Sequence, residues 1–135
     1  MKSTLVIYWI ATLLVSAFMA FAAYSYLTDP TMMATFSSLG YPSYFSKILA
    51  TAKFLGIIAL LVPSLPLLKE WAYAGFTFTF IGAFFSHLAS GQGRQSLIPL
   101  VTLVVLAISY FLRPVSRDVP RHLTERETAA EPRRR

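Results

Sequence analysis

The chain has 135 residues, 56% of them hydrophobic and 13% charged, with a mean hydropathy of +0.58; a domain this small buries only part of its surface, so the excess apolar side chain needs lipid as solvent. The absence of cysteine excludes disulfide stapling, thiolate catalysis, cysteine-ligated zinc and cysteine-held iron–sulfur clusters from this chain. The net charge of +6 does not point to nucleic acid: the basic residues gather after Leu112 and are interleaved with Asp118, Glu125, Glu127 and Glu131, without the one-sided basic face that phosphate contacts need.

Residues 3–27 form an uncharged apolar run, longer than the ~30 Å hydrocarbon core requires. It is too long for a signal h-region and lacks a small-residue cleavage site before Thr28, Asp29 and Pro30, so it reads as a retained anchor. Tyr8 and Trp9 at one end and Tyr24 and Tyr26 at the other have the placement of interfacial aromatic belts. Between Asp29 and Ser43, turn formers alternate with Met32, Met33 and Phe36, which predicts an ordered external loop with room for a short interfacial helix.

A second span is expected over 43–62, with Pro42 at or before its first turn and Pro63 and Pro66 ending it. A third runs over 70–90 and closes at Gly91-Gln92-Gly93-Arg94. On it Gly75, Thr79, Gly82 and Ser86 share a stripe suited to close helix packing, with Phe76, Phe78, Phe80, Phe84 and Phe85 away from it, towards lipid or a ligand. A fourth covers 96–113, Pro99 falling in its first turn and Pro114 stopping it. Residues 114–135 read as a disordered basic cytoplasmic tail.

The expected fold is therefore all-α, a bundle of four transmembrane helices over residues 1–113. Four spans put both termini on one side, with Lys2, Lys69, Arg113 and Arg117; the opposite loops carry only Arg94 and the boundary residue Lys47. The positive-inside bias then places both termini in the cytoplasm. No repeat relates the two helix pairs.

Charge within a span costs at least ~2.5 kcal/mol on insertion scales, so each such residue needs a partner or a purpose. Lys47 is close enough to the end of its helix to snorkel outward. Lys53 is not: it lies ten residues in, about 15 Å by helical rise. Its ammonium is expected to point between helices, and two roles fit it, a structural salt bridge or carbonyl cap, and a ligand site. His87, in the same half of the membrane, suggests a small polar pocket of Lys53, His87, Tyr44 and Asp29. The plainer alternative for His87 is a hydrogen-bonded residue at a helix end. Glu70 reads as a first-turn carboxylate complementing its helix N-terminus. One histidine in the spans is too few for a bis-histidine haem or a common zinc site.

Leu39-Gly40-Tyr41-Pro42, Ala52-Lys53-Phe54-Leu55-Gly56, Lys69-Glu70-Trp71-Ala72-Tyr73-Ala74-Gly75 and Gly82-Ala83-Phe84-Phe85-Ser86-His87 together resemble the DoxX-like family of small bacterial membrane proteins. The resemblance implies a four-helix membrane fold, with Tyr41, Pro42, Lys53, Gly56, Glu70, Trp71, Gly75 and His87 as signature positions. The broader DoxX and DoxD group is associated with thiosulfate:quinone oxidoreduction and redox stress, and is also similar to the receptor-assembly factor NACHO of animals. The function expected is an accessory membrane subunit that binds a lipophilic small molecule or a membrane partner, without catalysis of its own. A quinone-linked oxidoreductase component, with quinone as cofactor and a redox-enzyme partner, is the second reading; a homo-oligomeric small-solute transporter is the third.

Overall fold

The computed structural model describes residues 2–114. Among them it is all-helical, with five helices in chain order: α1 Lys2–Thr28, α2 Pro30–Ser38, α3 Ser43–Leu61, α4 Pro66–Ala89 and α5 Leu97–Phe111. The tail read over 114–135 lies, from residue 115, outside the described residues. By length and composition α1, α3 and α4 are able to cross a membrane; α5 is apolar but only 15 residues long.

The four longer helices pack in a closed circuit, α1 on α3, α3 on α4, α4 on α5 and α5 on α1. Val15, Met19, Leu60, Tyr73, Phe76, Phe80 and Leu106 fill the centre. Outward faces are apolar too: Phe21, Leu55, Phe78 and Phe111 are all exposed. A helix apolar on every side is one that lipid surrounds.

Local chemistry explains where the helices begin and end. Asp29 caps α2, its carboxylate accepting the Thr31 amide at 2.8 Å, and Pro30 follows in the first turn, where a missing N–H costs nothing. Gly40 then takes φ +84°, the left-handed conformation that glycine adopts freely. With Tyr41 N–H bonded to Phe36 C=O and Gly40 N–H to Ser37 C=O, α2 closes in a Schellman motif. Gly91, at φ +72°, closes α4 the same way, with Gln92 N–H on His87 C=O and Gly91 N–H on Leu88 C=O.

The structure corrects the sequence reading in four places. Pro66 opens α4 instead of ending α3, because proline suits a first helical turn. That start leaves Glu70 beyond the first turn, where it pairs with Arg113 and not with the helix terminus. No helix packs closely on Gly75 or Gly82, with nothing within 4 Å of a side chain added at either, while Phe76 and Phe80 enter the core and Phe78 and Phe85 stay exposed as expected. Tyr8, assigned to an interfacial belt, is fully buried, whereas Tyr24 is exposed as a belt residue would be.

A fifth difference concerns Lys69, counted above as a loop charge. It is fully buried, and its ammonium donates to the carbonyls of Ala59, Leu60 and Val62 at 3.0, 2.7 and 2.9 Å. Carbonyls in the last turn of a helix have no intrahelical partner. Lys69 reaches back from α4 to satisfy those of α3, which fixes the reversal between the two helices.

Candidate functional site

Between α3 and α4 runs a groove of about 540 Å³ with one wall from Leu49, Lys53, Leu55 and Gly56 and the other from Trp71, Gly75, Phe76 and Thr79. Its size falls within the range usual for small-molecule sites. Glycine shapes it twice. A β-carbon on Gly56 would lie 2.6 Å from Phe76 Cζ, so only glycine lets that ring lie against α3; Gly75 leaves open space.

Lys53 is the polar member of this wall and is 3% exposed. Its stem borders the groove, and its Nζ crosses to α1, where it donates to Met19 Sδ at 3.3 Å and sits 5.3 Å from the centre of the Tyr26 ring. A thioether is a weak acceptor, and a ring face attracts a cation without accepting as an oxygen does. Of the two roles open from sequence, the salt bridge or carbonyl cap is not what Lys53 makes among the described residues.

Tyr26 links this lysine to an aromatic cluster beneath α2. Phe36 packs edge-on against Tyr26, Tyr41 and Phe45, and Tyr41 stacks on Phe45 with ring centres 4.8 Å apart. The Gly40 turn aims Tyr41 into that stack, and its hydroxyl reaches Ser86 of α4 at 3.2 Å. The short helix is thereby pinned over the end of the bundle that carries Tyr26.

At the other end a second polar group ties three helices. Thr12 of α1 and Tyr73 of α4 both hydrogen-bond Ser109 of α5, at 2.7 and 2.8 Å. Arg113 pairs with Glu70 and lies over the rings of Tyr73 and Tyr110. A smaller cleft of about 340 Å³ between α4 and α5 is lined by Glu70, Tyr73, Thr77 and Tyr110. The hydroxyls of Thr12, Tyr73, Thr77 and Ser109 each have a protein partner, so the group reads as a structural tie. Ser16, one turn beyond Thr12, is buried with no hydrogen-bond partner for its hydroxyl among the described residues.

The four residues expected to form one polar pocket have separate surroundings. Lys53 faces Met19 and Tyr26; Asp29 caps α2. His87 Nδ1 is hydrogen-bonded at 2.8 Å to Gln92 Oε1, which the Gly91 turn carries back. Tyr44 is exposed. Of the signature positions, Lys53, Gly56, Trp71 and Gly75 share the α3/α4 groove; Tyr41 belongs to the aromatic cluster and Glu70 to the polar group at the other end.

Sequence reasoning missed Thr12, Met19, Tyr26, Tyr73 and Ser109 as partners. The signal available was slight: a hydroxyl in mid-span, at Thr12 and Ser109, needs somewhere to bond. The comparisons agree with the arrangement of the motifs. The DoxX-like family is matched over residues 10–109, from the first third of α1 almost to the end of α5. The chain belongs to the DoxX-like family. No curated protein and no solved structure was found to match it. For this DoxX-like chain the groove, the buried lysine and the two polar clusters are thus the grounds on which function is argued.

Proposed function

We propose that this DoxX-like protein is a four-span membrane subunit that holds a lipophilic small molecule in the α3/α4 groove. One observation carries the reading: an open, mostly apolar groove whose wall includes a buried lysine that meets a thioether and an aromatic ring, and no carboxylate, among the described residues. Intramembrane charge retained without a strong partner is characteristic of a binding site. Small apolar sites take their affinity from the walls and their orientation from a few polar groups. Among the described residues nothing near Lys53 supplies a nucleophile with its base, and binding is the role argued.

Counting α5 as the fourth span rests on its packing between α1 and α4 and on its apolar outer face. Its 15 residues rise about 22 Å, which local bilayer thinning accommodates at modest cost. Lys2 and the arginines from Arg113 onward then share the cytoplasmic side of the inner membrane. The cysteine-free sequence makes this easy to check. Single cysteines at Ser38 and Ser90 should be labelled from the periplasmic side and one at Ser64 from the cytoplasmic side; any other pattern breaks the topology.

Native mass spectrometry of the full chain released from mild detergent tests the binding role. The parent should carry a lipophilic adduct at a fixed ratio. Gly75→Leu should lose it while remaining folded, since the new side chain enters open space inside the groove. Equal adducts on both proteins, or none on either, would refute the proposal.

A further inference from the structure

The chemistry of the ligand follows from charge balance around Lys53. Residues 2–114 contain two carboxylates, Asp29 and Glu70. Asp29 accepts the Thr31 amide and Glu70 pairs with Arg113, and neither forms an ion pair with Lys53. The other fully buried lysine, Lys69, is held by three carbonyls. Lys53 has three donors, of which one meets Met19 Sδ. It is thus a buried cation without a counter-ion among the described residues.

Depth limits the size of what completes it. Lys53 lies ten residues from the start of α3 at Ser43 and eight from its end at Leu61, about 15 and 12 Å along the axis and so near the middle of the helix. A phospholipid headgroup stays at the interface, so an anion meeting Lys53 must be compact and carried inward by an apolar tail. Leu49, Leu55, Ile58, Leu68, Trp71 and Phe76 offer such a tail a continuous wall.

We propose that the α3/α4 groove binds a long-chain carboxylate, its tail along the apolar walls and its head ion-paired with Lys53. This rests on the groove reading above and narrows it to a single-chain anionic amphiphile. The ammonium now on α1 reaches the head by rotating its flexible four-carbon stem about the groove edge. It exchanges a thioether, a weak acceptor, for a charge-assisted bond to oxygen.

Trp71 lines the groove and reports occupancy. In a Trp9→Phe background, dibromostearate should quench Trp71 fluorescence of the full chain in detergent, and excess palmitate should reverse the quenching. Hexadecanol, of equal chain length but uncharged, should compete far less well. Lys53→Met, close in shape, should weaken palmitate about 30-fold or more while leaving hexadecanol unchanged, and Lys53→Arg should retain most of the preference for the acid. Gly75→Leu should abolish competition by both. If palmitate and hexadecanol compete alike in the parent and in Lys53→Met, yet Gly75→Leu blocks both, the anionic ligand is wrong and the groove reading stands. Quenching that no amphiphile reverses, or that Gly75→Leu leaves intact, overturns both.

Discussion

Replacing Lys69 by methionine isolates what a buried lysine contributes when its partners are backbone carbonyls. Methionine keeps most of the stem volume and removes the ammonium, leaving the carbonyls of Ala59, Leu60 and Val62 without that donor. Each buried carbonyl left unsatisfied costs about 1–3 kcal/mol. Three give a gross loss of roughly 3–9 kcal/mol on that scale, offset by several kcal/mol because the variant no longer desolvates an ammonium. The expected net loss is about 3 kcal/mol, at the upper end of ordinary point mutations. For a chain of this size that corresponds to a fall of roughly 10 °C in melting temperature. The assay is thermal unfolding in detergent, followed by loss of the monodisperse chromatographic peak. Lys69→Arg should fall between, since a planar guanidinium cannot reproduce three bonds that converge on one nitrogen. A Lys69→Met protein that melts within ~2 °C of the parent would refute the cap. The rival role, a loop charge that sets orientation, predicts altered cysteine labelling without a stability loss in correctly inserted protein.

Two glycines should respond oppositely to alanine in the same assay. Gly56→Ala drives a methyl into the Phe76 ring and should destabilise by about 1–3 kcal/mol; Gly75→Ala meets open space and should gain up to ~1 kcal/mol of helix propensity. In the Glu70–Arg113 pair, Glu70→Gln and Arg113→Met should each lower stability, and the double variant should cost less than their sum, with a coupling of about 1–3 kcal/mol; strict additivity would show that the pair is not energetically joined. Ser109→Ala breaks bonds to both Thr12 and Tyr73 and should lower stability by about 1–2 kcal/mol, whereas Ser16→Ala, which removes a hydroxyl without a described partner, should be neutral or mildly stabilising; reversal of that order would contradict the assigned network.

Much of the helical order was legible in the residues because its causes are local. Charge-free runs, Asp29-Pro30, Gly40 and Gly91 act within a turn or two of themselves, so the apolar stretches and the turns after α2 and α4 could be read in order. Where local signals conflicted, the reading slipped: Pro66 serves equally as a stop or as a first-turn residue, and only the backbone of α4 shows which.

The site was legible in its parts and not in its assembly. That Lys53 must point between helices followed from its depth; that it meets Met19, 34 residues earlier in the chain, did not. The same limit holds for Phe76 and Phe80, which turn into the core, since a helical wheel separates them from Gly75 and Gly82 without saying which side the neighbouring helices occupy.

What the sequence alone determines is the solvent: stretches this apolar require lipid, whatever their partners, because transfer free energy depends on composition. Which lysine caps a helix and which borders a groove is decided only by tertiary structure. Lys53 and Lys69 are the same side chain in similar apolar company. Lys69 lies within reach of three carbonyls at the end of α3 and Lys53 does not, because the packing of α1, α3 and α4 sets those distances.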